Sequence, residues 1–514
     1  MEVSTLKYYL GLDNGGTSTK ASLFTPDGKE VCTASTDTKM ITSKPGFTER
    51  DMDEMWEANC KVIRNVISKS GIDTHDIASI ACCGHGKGLY LWDKSGKPAR
   101  NGIISTDRRA QQYVDRWVAD GTEQKVFERS CQHIMACQPV ALLAWLKDNE
   151  PETLENVQWV FECKDYVRFR LTGEAYAEKT DYSGANLMNL HTQTYDAELL
   201  RLFGLEDLMS ALPPLKGSFD VCGSITEEVA SLTGLQEGTP VAGGMFDIDA
   251  CALAADVTDE DHVCMIAGTW SINEYIKKEP VTDGKVLMNS LFCMPGYYLI
   301  EESSATSAGN NEWFIQTLMP ELVQQCRAEG TNIYKKGDEL VESLSASDFC
   351  PTFFPFLMAS NVNPDALGCF VGLSNYHTRA HILRSVYEGI AFSHKYHLDK
   401  LLATRDTPVK SIHLAGGAAH SKIWTQIFAD VMQLDIETVE ANETGTLGCA
   451  MAASVACGDN SDIRSAAKKM TKMSRIAKPV EENVRAYEKK YALYLKLIDA
   501  LDPVWKEYAA MQKG

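Results

Sequence analysis

The chain has no cysteine pair at CxxC or zinc-site spacing, no apolar run of transmembrane length, and fewer basic than acidic residues, 50 against 70. Each absence excludes something. Without metal-site spacing or a leader segment, the sixteen scattered cysteines read as reduced, mostly buried thiols of a cytoplasmic protein. A membrane partner is not expected, because crossing a bilayer takes roughly twenty consecutive apolar residues. A formal net charge of −20 argues against nucleic acid. It does not argue against a nucleotide, whose phosphates need only a local set of donors and a metal. Also missing are the two familiar phosphate loops: the glycines near the N-terminus fit neither Gly-x-Gly-x-x-Gly nor Gly-x4-Gly-Lys-Ser/Thr, and no helix follows them.

What is there instead is a hairpin. Tyr8 to Leu12 is an apolar strand, Asp13-Asn14-Gly15-Gly16-Thr17-Ser18-Thr19-Lys20 is polar, and Ala21-Ser22-Leu23-Phe24 alternates as a strand again. Gly15 and Gly16 let backbone N–H groups approach an anion, and the hydroxyls of Thr17 and Ser18 add donors. Asp13 would repel a phosphate directly, so it makes sense with a cation between them, most simply Mg²⁺. An ordinary tight turn is the competing explanation. The pattern recurs, however: Val263–Ala267, the tip Gly268-Thr269-Trp270-Ser271, then Ile272–Ile276. Two such hairpins suggest a duplicated domain, each copy presenting a phosphate loop to a shared cleft.

Apolar residues make up 44% of the 514 and charged ones 23%, ample for two large domains. Between the hairpins, strand and helix signals alternate. Trp56, Cys60, Ile63 and Ile67 form a helical stripe; 77–83 and 89–92 read as strands around Gly84-His85-Gly86-Lys87-Gly88. Gly238 to Asp247 reads as a strand, two glycines and an acid. The order favours two α/β domains, 1–255 and 256–514, with a boundary in the acidic, turn-rich stretch near 250–261. A stripe of Val484, Tyr487, Tyr491, Tyr494 and Ile498 predicts a C-terminal helix docked on the second domain.

From about Tyr8 to Gly458 this layout resembles the FGGY carbohydrate kinase family. Gly368-Cys369-Phe370-Val371-Gly372-Leu373, then His381-Ile382 and Ser385-Val386-Tyr387-Glu388-Gly389, is similar to the family's C-terminal signature. Pro139 to Asn149 resembles the N-terminal one, with Leu142 standing where most members have lysine and Cys137 at a position usually filled otherwise. Within the family, Gly86-Lys87-Gly88-Leu89 followed by Asp107-Arg108-Arg109-Ala110 resembles the L-xylulose kinase branch. The resemblance implies the sugar kinase fold: two ribonuclease H-like, actin-like ATPase domains around a central cleft. It implies ATP and Mg²⁺ as cofactors, a small sugar as substrate, and transfer of phosphate to the terminal hydroxyl of a ketopentose, L-xylulose first. D-xylulose, L-ribulose, 3-keto-L-gulonate and glycerol are the sister substrates. A sugar-responsive binding protein without turnover is the alternative of another class, and assembly into a homo-oligomer is left open.

The same resemblance implies residue roles. Asp247 would be the catalytic base and touch the sugar, its rival explanation being a cap on the helix starting near Ile248. Asp249, two residues on, is the weaker candidate. Asp13 would hold the metal. Gly15, Gly16, Thr17, Ser18 and Lys20 would bind phosphate from one hairpin, Gly268 and Thr269 from the other. The strand–Gly416-Gly417–helix segment ending at Ser421 would take adenosine, with Ser307, Gly309 and Asn310 lining the nucleotide cleft. His85, Lys87 and Asp107 would face the sugar. Trp56 is expected in the core, and the pairs His377/His381 and His394/His397, at zinc-like spacing, are expected to be structural.

Overall fold

The computed structural model describes residues 7–268, 270–304, 306–358 and 360–513. Thr269 therefore lies outside the described residues. The chain divides into two compact units, each drawing on more than one stretch of sequence. One unit is the chain up to Thr258 together with Ile276–Ile300 and Ala441–Thr471; the other is Asp259–Tyr275, Glu301–Glu440 and Lys472 onward.

In the first unit the strand order is Val221–Ser224, Pro240–Ala242, Ile77–Gly84, Tyr8–Asn14, Ser18–Phe24, Glu30–Asp37, with Met245–Phe246 also paired to Ile77–Gly84. The predicted hairpin is present, with Leu12 opposite Ala21, Asp13 opposite Lys20 and Asn14 opposite Thr19. Its first strand runs parallel to Ile77–Gly84, so both deliver their C-terminal ends to the same edge of the sheet. The Met52–Ser70 helix covers one face. Asp51 caps it by accepting from the N–H groups of Asp53 and Glu54, and Gly71 ends it in the left-handed conformation at φ +65°. Its buried stripe of Met55, Trp56, Ile63 and Val66 packs on Leu10, Leu12, Ala21 and Leu23. A second core gathers the helices between Gln111 and Phe203; there Leu142, the family-atypical residue, is fully buried.

The return of Ala441–Thr471 has a packing reason. The helix Thr444–Ala456 is built of small residues and is buried along Gly445–Ser454. A Cβ on Gly11 of the first strand would sit 2.1 Å from the Thr446 carbonyl oxygen, and one on Gly448 would sit 2.3 Å from that of Ala250. Glycine on each side lets the helix lie directly on the strand and on the Asp247–Ala254 helix. Thr446 Oγ1 seals the contact by donating to Ser22 Oγ at 2.9 Å.

The second unit repeats the plan. His262–Ala267 and Ser271–Lys277 form the antiparallel hairpin, and His262–Ala267 runs parallel to Ser411–Ala415, as the first strand does to its own neighbour. Asp435–Val439 and Met473–Ala477 extend the sheet. The C-terminal helix, Glu481–Lys513, lays Tyr487 and Tyr494 into this unit; Tyr494 stacks on Phe354 with ring centroids 4.7 Å apart. Among the described residues no helix is long and apolar enough to cross a membrane.

Candidate active site

Asp247 is placed by backbone geometry. Met245–Phe246 pairs with Cys83 and Gly84 at the end of the Ile77–Gly84 strand, and the helix starts at Asp247 itself. The preceding turn requires glycine: Gly244 has φ +77°, and a Cβ there would lie 1.9 Å from the Cys82 carbonyl oxygen. Phe246 stands at the helix cap and makes no side-chain bond there, while the Ile248 N–H donates to the Asp247 carboxyl. The residue as a whole is half-buried. Burial pushes its pKa well above the aspartate range; the carboxylates of Asp13 and Asp181 add to this, and Lys87 opposes it. Asp249 points the other way, fully buried and accepting from the Cys293 N–H at 2.8 Å.

Asp13 lies at the end of the first strand. Its Oδ1 is buried without a hydrogen-bond partner among the described residues, and burial raises its pKa against the pull of Lys20. A Cβ on Gly445 would come within 2.9 Å of Asp13 Oδ2, so only glycine lets the N-terminus of the Thr444–Ala456 helix approach this closely. Lys20 Nζ is paired with Glu443 Oε2 at 2.7 Å, immediately before that helix. Beyond Asp13 the tip is accessible: Thr17 is exposed, and space is open where a Gly16 side chain would be. Ser18 begins the return strand opposite Asp37. An unpartnered carboxylate oxygen beside a second carboxylate fits a hard divalent cation. No group of three or more potential metal-ligating side chains occurs among the described residues, so phosphate oxygens and water would complete its shell.

The expected sugar residues divide. His85 turns inward: its Nε2 lies 2.8 Å from the Tyr90 hydroxyl and its Nδ1 3.3 Å from the Gly86 carbonyl oxygen. Burial pushes its pKa down to about 3, so the ring is neutral. Asp107 is consumed: its two oxygens accept from Arg109 N, Arg109 Nε, Arg109 Nη2 and Thr48 N, all within 2.9 Å. Those four bonds engage a carboxylate's acceptor sites, so Asp107 also works to hold Arg109 and Thr48 in place. Lys87 is half-buried. It has φ +64° between two crowded glycines: a Gly86 Cβ would lie 2.5 Å from the Phe246 ring, and a Gly88 Cβ 2.5 Å from the Ile103 carbonyl oxygen. Its N–H donates to Glu162 Oε2 at 2.8 Å, and its ammonium stands 5.5 Å from the Phe246 ring centroid. A lysine kept in the left-handed region is a strained backbone at a site.

Behind this surface lies an ion cluster that no local pattern announces. Lys164, fully buried, meets Asp165 and Glu178 at 3.2 Å each and also Asp181. Arg168 pairs with Asp165 at 2.7 Å. Thr180 Oγ1 donates to Glu178 and accepts from Phe246 N at 2.8 Å, tying the cluster to the residue before Asp247.

In the second unit, Gly309 N donates to the Gly268 carbonyl oxygen at 3.3 Å, joining the helix Gly309–Leu318 to the hairpin. Gly416, at φ +84°, passes so close that a Cβ would lie 2.6 Å from the Ala267 carbonyl oxygen; over Gly417 the space is open. Ser421 caps the Lys422–Met432 helix through Trp424 N and donates to Asp338 at 2.8 Å, which is structural work. Ser307 Oγ lies 2.7 Å from His394 Nε2, and Asn310 donates to the Ser307 carbonyl oxygen at 2.9 Å. His397 meets Glu302 at 3.1 Å, while His381 takes part in the capping box of its helix with Thr378.

Duplicated sheets with a glycine-tipped hairpin in each are the architecture of a sugar kinase fold. The chain belongs to the FGGY family of carbohydrate kinases: the family's N-terminal domain matches residues 8–254 and its C-terminal domain residues 263–457. The chain is similar to the L-xylulose/3-keto-L-gulonate kinase of Escherichia coli (strain K12), 37% identical over 497 residues, 96% of this chain and 97% of that one. A probable L-xylulose kinase of Pasteurella multocida (strain Pm70) is 34% identical over 500 residues, 96% and 99% of the two chains. Among solved structures, ligand-bound xylulose kinase from Lactobacillus acidophilus has a TM-score of 0.87 at 24% identity, over 98% of this chain and 100% of that one, a likeness of fold.

Proposed function

We propose that this sugar kinase transfers the γ-phosphoryl group of ATP to the terminal hydroxyl of a ketopentose, with L-xylulose the preferred acceptor. The observation that carries the reading is Asp247: a half-buried residue where a strand turns into a helix, with Asp13 near enough to raise its proton affinity. Asp247 accepts the hydroxyl proton as the sugar oxygen bonds to phosphorus and the bond to the ADP oxygen breaks. Lys87 lowers the proton affinity of Asp247 and faces the acceptor. Gly15, Gly16 and Thr17 offer N–H and hydroxyl donors to phosphate, and Lys20 can exchange Glu443 for it. In the second unit the Gly268 tip is assigned to phosphate and the open Gly417 turn to adenosine. Mg²⁺, held through Asp13, would neutralise phosphate charge. The similarity to L-xylulose kinases along nearly the whole chain supports the choice of acceptor. A second acceptor, 3-keto-L-gulonate, is favoured by the ammonium of Lys87, which suits a carboxylate, and by the Escherichia coli relative's name.

The test is kcat/KM from ADP release across L-xylulose, D-xylulose, L-ribulose, 3-keto-L-gulonate and glycerol. L-xylulose should lead, at least tenfold above D-xylulose. Sugar and nucleotide binding without any turnover would replace the kinase reading by the sensor.

A further inference from the structure

We infer that Arg50 is a positioning residue for phosphoryl transfer: it grips both carbonyls of the Gly15–Gly16 tip and keeps a buried positive charge directly behind that tip. This rests on the reading of the site as an ATP-dependent kinase.

Arg50 is only 2% exposed. Its Nη2 donates to the Gly15 carbonyl oxygen at 3.1 Å and to that of Gly16. Its Nε and Nη1 are buried and have no hydrogen-bond partner among the described residues. A guanidinium buried with orphan donors and only main-chain acceptors costs stability, since nothing returns its lost hydration. Its neighbours fix it there. Glu49–Arg50 pairs with Gly102–Ile103, Glu49 is held by Arg109 Nη2 at 2.8 Å, and Asp51 caps the Met52–Ser70 helix.

The position explains the cost. The Gly15 carbonyl shares a peptide group with the Gly16 N–H, and the Gly16 carbonyl shares one with the Thr17 N–H. A cation bonded to both oxygens polarises both peptides and strengthens the N–H groups on their far sides, which are the donors a phosphate would meet. Bonding both carbonyls to the one nitrogen Nη2 also fixes the two peptides relative to each other. The charge is felt on the sugar side too, where it helps keep His85 neutral.

Replacing Arg50 should therefore separate stability from function. Arg50→Met is expected to leave Tm unchanged or raise it, to lower kcat on the order of 100-fold, the scale of one lost transition-state donor, and to leave the ketose KM within about threefold. Arg50→Lys, which keeps the charge on a side chain of different reach and shape, should recover part of kcat. Tripolyphosphate should raise the Tm of the wild-type protein and shift that of Arg50→Met far less. A fall in Tm with kcat per folded molecule preserved, or an equal tripolyphosphate shift in both proteins, would overturn the inference. If Arg50→Met does not fold, Arg50→Lys carries the same comparison. Wild-type protein that turns over no sugar would count against the kinase reading, while the tripolyphosphate shift would still decide the role of Arg50.

Discussion

Asp181 shows how far a single residue's surroundings can move its chemistry. Burial first, then the nearby carboxylates of Asp165 and Glu178, raise it from 3.8 to about 7 against the pull of Lys164. The folded protein therefore keeps a proton that the unfolded chain releases above about pH 4. The stabilisation is complete below the unfolded value and is lost as pH rises toward about 7. Glu162, also buried and raised, adds to the same trend. Thermal scans between pH 5 and 8 should show Tm falling with pH, and Asp181→Asn should flatten that fall, because Lys164 keeps Asp165 and Glu178 as partners. An unchanged slope would mean that Asp181 is already ionised at pH 5. At this scale the sequence was partly legible. Asp13 and Asp247 are legible as candidates because each follows an apolar strand beside glycines. Arg50 and Lys164 have no role legible in the sequence, since buried charges depend on partners that only tertiary structure brings together. His85 and Asp107 sit in the loops expected, but their polar atoms are used by Tyr90, Arg109 and Thr48, which no local pattern reveals.

Among elements, the hairpins were the most legible, because alternation and a polar glycine tip are local signals. The amphipathic Met52–Ser70 helix was likewise expected, and its cap and stripe explain why. The Thr444–Ala456 helix was not singled out. It is small and apolar on every side, so it carries no period to read, and its partner strand lies more than 400 residues earlier. Its contact makes a sharp prediction. In Gly11→Ala the added methyl would meet the Thr446 carbonyl oxygen at 2.1 Å, so strand and helix must part. Destabilisation of roughly 1–3 kcal/mol is expected from such overpacking, read as a lower midpoint in urea, with reduced kcat because the strand ends at Asp13. A midpoint equal to wild type would show that this interface yields without cost.

For the whole molecule, the bulk charge of −20 sets a background that disfavours anions, so binding ATP depends on local donors and cations. On the proposed reading, the glycine-tipped hairpin, Lys20, Lys87 and Arg50 supply these in the first unit. The fold class and the family were legible from the duplicated hairpins and the two signatures together. The acceptor sugar was less so, because one fold serves many substrates through a few side chains in a pocket. The account turns on one carboxyl. Asp247→Asn, compared with wild type by ADP release at saturating L-xylulose and ATP, should lose at least 1,000-fold in kcat, on the order of a general base's contribution, while calorimetry shows ADP binding within about threefold. Retention of most of the wild-type rate would contradict the assignment of the base.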